Sequence, residues 1–526
     1  MLNLELIRKA FVVMMFYRYF LKFVDKTLQY WQNRNVKCEE PWPFLGNMAA
    51  LVFKRTSFWN RIKKWYNDFP KEKYIGIYVF LKPQLVVRDL EVIKRIAIKD
   101  FDEFMNATSV GKGKQEPIFT KNLAVLQDEN WKNMRAAFTS SKIKYMFPLV
   151  AQCAEQATKY FLDDEIRRSS VDILDLARRF ASDSICTVAF GYKMNSFVER
   201  DNKLFVMGRD ISDSGGVQAQ RYSMLNLAPV LLKYQKVSKY MQKFTQYLTA
   251  LCKENLESRT MNGVLRPHLT HLLLEGSRGK LKNKTLNLVE TNFSAVQEST
   301  ETIKNGKKTK LSDEVIVAQT MLFFFGGFET TSFLICGMSY ELAINVDVQT
   351  KLQEEIDHCL NQNKGEIKYE NVLKLKYLDM VVSESLRKWP PHPIIDRICV
   401  KDYELEPETA ERDAIVIEKN TTVLIPVLGI HYDPKYFSNP DKFDPERFSN
   451  INKSKIVPFS FLPFGIGSRN CIASRLALMQ VKLFFVNLLS KFILEPTHNT
   501  QIPLTMTAKK FTLLPENGFW LGLRKR

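Results

Sequence analysis

The chain has 526 residues, 45% of them apolar and 25% charged, and its 76 Lys and Arg against 57 Asp and Glu give a formal charge of +19. This composition excludes a disordered chain, a collagen and a polytopic membrane protein, while the basic surplus alone leaves nucleic acid, anionic lipid and an acidic protein partner equally open. Length by itself suggests roughly three or four domains of ~150 residues, an expectation the central helix described below argues against.

The eight cysteines, at 38, 153, 186, 252, 336, 359, 399 and 471, form no CxxC and no Cys–His cluster, and are too few for a disulfide scaffold. That usage fits a reducing compartment. The six histidines make no HExxH, and no GxxxxGK[ST] occurs, which argues against zinc-protease and P-loop chemistry.

Residues 1–30 are expected to form a membrane anchor. The longest clean apolar run, Ala10 to Tyr17, falls short of the ~20 residues a spanning helix needs. Leu2, Leu6, Ala10, Val13, Tyr17, Phe20, Val24 and Leu28 recur at helical spacing as one apolar stripe, with Glu5, Arg8, Lys9, Arg18, Lys22, Asp25 and Lys26 around the rest. Such a helix can lie in the headgroup layer, and a tilted, snorkelling span stays open beside it. Basic residues after the run (Arg18, Lys22, Lys26, Arg34, Lys37) outnumber those before it (Arg8, Lys9), so a spanning anchor would leave the body cytoplasmic. No small-residue cleavage site follows, against a removed signal peptide. Residues 31–47, ending in Pro41-Trp42-Pro43-Phe44-Leu45-Gly46-Asn47, are expected to be a stiff linker, and 48–526 the catalytic body.

Most of the body reads as helix, with β-like runs at 74–80, 84–88, 414–417 and 422–428. Trp131 and Arg135, four apart, share one face of a helix. The polar stretch 290–313 reads as a surface loop. From 314 to about 345 the chain is nearly all apolar, the pattern of a helix buried in one large core, with Ser312 or Asp313 as its N-cap. Midway along it stands Gly326-Gly327-Phe328-Glu329-Thr330-Thr331. Paired glycines can bend a helix and open a groove, and an acid beside a hydroxyl is costly there unless it moves protons. Glu384 and Arg387 form an i, i+3 pair ahead of Pro390-Pro391, and Pro445-Glu446-Arg447-Phe448 follows about sixty residues on.

The strongest signal is Phe461-Leu-Pro-Phe464-Gly465-Ile-Gly467-Ser-Arg469-Asn-Cys471-Ile-Ala473. Its glycines let backbone approach a flat ligand, and Arg469 could neutralise a carboxylate. Cys471 precedes an apolar helical pattern, so the helix dipole is expected to favour its thiolate. A lone thiolate in such a loop is a strong axial ligand for haem iron.

This loop resembles the haem-binding pattern F-x-x-G-x-R-x-C-x-G of the cytochrome P-450 family, the haem-thiolate monooxygenases, through Phe464, Gly467, Arg469 and Cys471, with Ala473 in place of the last glycine. The resemblance implies a mainly α fold with small β-sheets around a long central helix, haem b with Cys471 as its metal ligand, and a cofactor site built from Trp131, Arg135, Arg397, Phe464, Gly467, Arg469 and Cys471. Trp131, Arg135 and Arg397 would meet the propionates. Gly326–Thr331 matches [AG]-G-x-[DE]-T-[TS], implying that Thr330 holds dioxygen and Glu329 helps deliver protons. Glu384, Arg387 and Arg447 would lock into a buried structural network. Lys374–Glu384 and Asp433–Phe437 look like the microsomal, xenobiotic-metabolising members, especially those of insects. The implied partners are a lipophilic substrate, dioxygen, an NADPH-cytochrome reductase, cytochrome b5 as an optional second donor, and the endoplasmic reticulum membrane with the body facing the cytosol, and no nucleic acid.

The substrate cavity is expected along the loop Met105 to Asn122, at Phe324, Phe325 and Phe328, at His392 to Ile395 and at Phe511 to Leu514. Lys132, Lys142 and Lys144 are expected to contact the reductase. Two rivals stay open: an isomerase or dehydratase on the same scaffold, against which Glu329-Thr330 speaks, and a non-catalytic haem carrier.

Overall fold

The computed structural model describes residues 26–107, 121–136, 143–213, 239–262, 312–406, 414–509 and 513–526, with scattered positions between 8 and 24, Ile118 and Ala295. Eleven helices carry the argument: α1 Phe58–Asn67, α2 Asp128–Ala136, α3 Ile143–Lys159, α4 Ile173–Ile185, α5 203–213, α6 Lys239–Asn262, α7 Asp313–Ile344, α8 Val346–Gln362, α9 Lys376–Lys388, α10 Val427–His431 and α11 Ser474–Leu489. The strands are β1 Tyr74–Val79, β2 Lys82–Val87, β3 Val171–Asp172, β4 Ile395–Ile398, β5 Tyr403–Leu405, β6 Ile415–Ile417, β7 Thr422–Ile425, β8 Phe492–Glu495 and β9 Trp520–Lys525. The fold is mainly α with small sheets, as the motifs imply.

α7 is the axis. Ser312, one of the two expected caps, accepts the Val315 amide at 3.4 Å, and Asp313 and Glu314 place negative charge at the dipole's positive end. The helix is long and apolar enough to cross a membrane, but 67% of its most apolar window is buried inside the protein. It packs on α4 and α11, and one continuous core surrounds it.

The main sheet runs β1-β2-β7-β4, with β2 and β7 parallel and the other pairs antiparallel. A second sheet runs β3-β9-β8, and β5 pairs with β6. The run expected at 422–428 ends as a strand at Ile425: Pro426 has no amide to extend the ladder, and α10 follows. β8 and β9 were not expected; they pair with each other across the C-terminal segment and depend on contacts distant in sequence.

The segment 31–47 is laid against β1. Trp31 is fully buried, its indole donates to the Ile77 carbonyl at 3.1 Å, and a Cβ on Gly76 would come within 2.3 Å of its ring, so only glycine fits there. The described positions between 8 and 28 are helical; Phe11, Met14 and Met15 are exposed, while Val24 and Leu28 are buried beside Trp31. The other stripe members, Leu2, Leu6, Ala10, Val13, Tyr17 and Phe20, lie outside the described residues, as does most of 290–313.

Candidate functional site

A third, small apolar cluster marks where the sequence motifs converge. Met105, Leu123, Trp131 and Met134 form it, and Val315 and Leu322 of α7 and Ile472 of the cysteine loop pack on it. Three segments widely separated in the chain therefore meet at Trp131.

The cysteine loop takes its shape from backbone bonds. The Cys471 amide donates to the Phe464 carbonyl at 2.8 Å, and the Asn470 amide to the Gly467 carbonyl at 3.0 Å. Gly467 has φ +70° and a Cβ there would stand 2.1 Å from the Ala97 carbonyl oxygen, so both conformation and space demand glycine. Ala473, by contrast, has φ −104°, an ordinary value for any side chain; the departure from the family glycine strains no backbone.

Cys471 is exposed by surface area, yet the protein envelops it, so its exposure is to an interior space. Burial raises its thiol above the usual cysteine value, while the Ala473 amide and the Arg135 charge pull the other way. α11 begins three residues after Cys471, so the thiol stands ahead of the helix and not within its first turn. Only a bound cation would reverse that balance.

Three arginines flank the loop. Arg135 donates to Asn470 Oδ1 at 2.6 Å; Arg397 donates to the Ile466 carbonyl at 3.3 Å; Arg469 donates to the Met105 and Leu126 carbonyls at 2.7 and 3.0 Å and lies over the Trp131 ring at 4.3 Å. None forms an ion pair among the described residues. Arg397 is buried with its Nε unpartnered. Burial, and then Arg397, hold Arg469 down to about 9; burial holds Arg397 to about 10. Three guanidiniums gather here, one of them buried, and the Asp396 and Asp128 charges act on them without forming an ion pair among the described residues; the surplus positive charge suits an anionic ligand. A cofactor carrying two carboxylates beside a thiolate-bound metal fits this donor set. The Trp131 indole N–H likewise has no protein acceptor among the described residues.

On α7, Gly326 faces open space, since a Cβ there would meet nothing within 4 Å, whereas Gly327 packs on Ile185 of α4. The helix continues through both glycines, and at Gly326 no side chain fills the space beside it. Thr330, one turn on, donates to the Gly326 carbonyl at 2.5 Å. Phe324 and Phe328 do not line this face. At ~100° per residue they point roughly opposite to Gly326, and both are fully buried among Phe190, Phe205 and Phe244. The expected cavity roles of these two are corrected to core packing. Phe325 is half-buried, against Phe244. His392 is exposed by area yet lowered by burial, the same signature of an interior space as Cys471. Phe511 and most of the Met105–Asn122 loop lie outside the described residues.

Glu329 has a partner the sequence did not reveal. Arg178 of α4, itself buried, stands 3.0 Å from Glu329 Oε1 and 2.9 Å from Asp213 Oδ1 of α5. One guanidinium thus bridges the acid beside Thr330 and a second helix. No sequence pattern signals it, because 151 positions separate Arg178 from Glu329 and only the α4–α7 packing unites them.

Glu384 and Arg387 are fully buried and joined by bonds of 2.7 and 2.8 Å; Arg447 reaches Glu384 Oε1 at 3.4 Å. On the surface, Lys132 pairs with Asp102 at 3.1 Å and Glu129 at 3.4 Å, and Lys144 with Glu370 at 2.5 Å. These two expected reductase contacts spend their charge within the chain; Lys142 lies outside the described residues.

Residues 36–521 match the family described as Cytochrome P450. Among curated proteins the chain is 40% identical over 519 residues to cytochrome P450 9e2 of Blattella germanica, covering 94% of each chain. It is 32% identical over 515 residues to cytochrome P450 9b1 of Drosophila melanogaster, covering 96% of each. It is 31% identical over 505 residues to cytochrome P450 6k1 of Blattella germanica, covering 94% of this chain and 93% of that one.

Proposed function

The chain belongs to the cytochrome P450 family of monooxygenases, and from that premise we propose that it is a microsomal enzyme inserting one atom of dioxygen into a lipophilic small molecule, with electrons from an NADPH-dependent flavoprotein reductase and cytochrome b5 as an optional second donor. The observation that carries this reading is the enveloped Cys471 thiol flanked by three arginines, none of which forms an ion pair among the described residues. The cofactor of this reading is haem b. Thiolate-held haem, when bound, would supply the activation of dioxygen.

The chain's own residues do the rest. Cys471 Sγ would hold the haem iron. Arg135, Arg397 and the Trp131 indole would receive the propionates, and Arg469, stacked on Trp131, would add positive charge beside them. Phe464 and Gly467 give the loop its close backbone approach. Gly326 leaves room for a small ligand against α7. The Thr330 hydroxyl spends its hydrogen on Gly326 and so offers oxygen lone pairs to a proton donor. Glu329 takes up protons and passes them towards Thr330, a step that requires its carboxylate to turn from Arg178. The body sits at the cytosolic face of the endoplasmic reticulum membrane, held by the N-terminal helix whose Phe11, Met14 and Met15 stand exposed.

The test is reconstitution with a flavoprotein reductase, NADPH and isotopically labelled dioxygen against a panel of lipophilic compounds. The expected result is one labelled oxygen in the product per molecule formed. Product formed without NADPH and dioxygen would favour an isomerase instead. Binding without reduction would favour a carrier.

A further inference from the structure

His431 closes α10 and is fully buried. Its Nε2 accepts the Leu462 amide at 2.9 Å, and its Nδ1 lies 3.0 Å from the Arg387 carbonyl. An amide only donates and a carbonyl only accepts, so the ring is neutral with its proton on Nδ1. The Arg387 guanidinium returns a bond to the His431 carbonyl at 2.9 Å. Phe437 and Phe461 flank the imidazole, with ring centroids at 6.2 and 5.5 Å. Both of its ring nitrogens are committed, and both commitments are to backbone.

The two backbone groups belong to the two strongest motifs. Arg387 anchors the buried knot with Glu384. Leu462 opens the cysteine loop: its carbonyl accepts the Gly465 amide at 3.2 Å, and Phe464, two residues on, accepts the Cys471 amide at 2.8 Å. A shift of Leu462 therefore moves the turn that sets the position of Cys471. We infer that His431 is a positioning residue that registers the cysteine loop against the Glu384–Arg387 knot and so holds Cys471 Sγ in place for axial ligation. The inference rests on the haem-thiolate reading, although His431 does not touch Cys471.

Two near-isosteres separate the two bonds. Glutamine carries its amide oxygen to the Nε2 position and keeps an acceptor for Leu462; asparagine carries its polar atoms only to the Nδ1 position and loses that acceptor. In the full-length haem-loaded protein, reduced and saturated with carbon monoxide, the decay of the thiolate-type Soret band on mild warming is followed together with amide hydrogen exchange across 458–466 and across α8. His431→Gln keeps the Leu462 bond and loses the Arg387 one, and is expected to fall between the parent and His431→Asn in both. His431→Asn leaves a buried amide unpaired, and is expected to lose the band on the order of tenfold faster, with faster exchange at Leu462 and unchanged exchange in α8. The inference is overturned if His431→Asn decays like the parent, if His431→Gln decays as fast as His431→Asn, or if α8 loses protection as much as Leu462 does. A parent protein with no thiolate-type band would sink the haem-thiolate reading itself, before either variant is compared.

Discussion

Two buried sets of arginines lie on either side of His431, and they are built on opposite terms. In the knot, Arg387 spends its Nε and Nη2 on Glu384, its Nη1 on the His431 carbonyl, and Nη2 again on the Pro440 carbonyl at 2.8 Å. Around the cysteine loop, Arg135, Arg397 and Arg469 hydrogen-bond only to neutral acceptors among the described residues, with the Asp396 and Asp128 charges nearby but in no ion pair with them, and one buried Arg397 nitrogen has no partner. The Glu384–Arg387 pair is satisfied within the protein; the loop arginines have charge to spare for an anion. Charge that is fully satisfied holds the fold together, and charge left open shows where a ligand belongs.

The knot is broken most directly by Arg387→Ala. It strands Glu384 with no exposure to water, and the expected loss is about 3–5 kcal/mol of folding free energy, read by denaturant unfolding; a loss below about 1 kcal/mol would erase the contrast. Glu329→Gln, which removes the titratable acid beside Thr330, is expected to lower oxygenated product per NADPH consumed about a hundredfold, with binding of a lipophilic ligand unchanged. Arg397→Met inverts the Arg387 result. Folding stability should move by less than about 1 kcal/mol, because an open charge is removed and not a paired one, while haem retention on dilution should fall roughly tenfold.

A pH series sharpens the comparison at its hinge. Burial, and then the Arg387 charge, hold His431 down to about 3, against ~6.5 in the unfolded chain. A depressed histidine stabilises the fold fully above the unfolded value, and that contribution is lost as pH falls towards 3, at up to roughly 1.4 kcal/mol per pH unit. Unfolding free energies between those limits should show this slope in the parent and lack it in His431→Gln. Smallest of all, Lys144→Ala should shift stability by less than about 0.5 kcal/mol, since the Lys144–Glu370 pair is exposed; thermal unfolding checks it.

What was legible in the sequence follows from how far apart the partners lie. The cysteine loop compresses Phe464, Gly467, Arg469 and Cys471 into eight positions, so local order alone exposes it. The run 313–344 could be read as a core helix because apolarity on every side leaves no other home for it. Phe324 and Phe328 were misassigned because their apolar character does not say which way the helix faces; Gly326 does, once the turn is counted. Arg178, Asn470 and His431 were missed because each matters through a partner brought near only by the packing of α4, α2 or α10.

The bond between Cys471 sulfur and iron is tested most directly by the absorption spectrum of the haem-loaded protein, reduced with dithionite and saturated with carbon monoxide. The parent should show the long-wavelength Soret band of a thiolate-ligated haem, and Cys471→Ser should lose it. A parent band where histidine-ligated haem proteins absorb, or a Cys471→Ser spectrum identical to the parent's, would contradict the assignment.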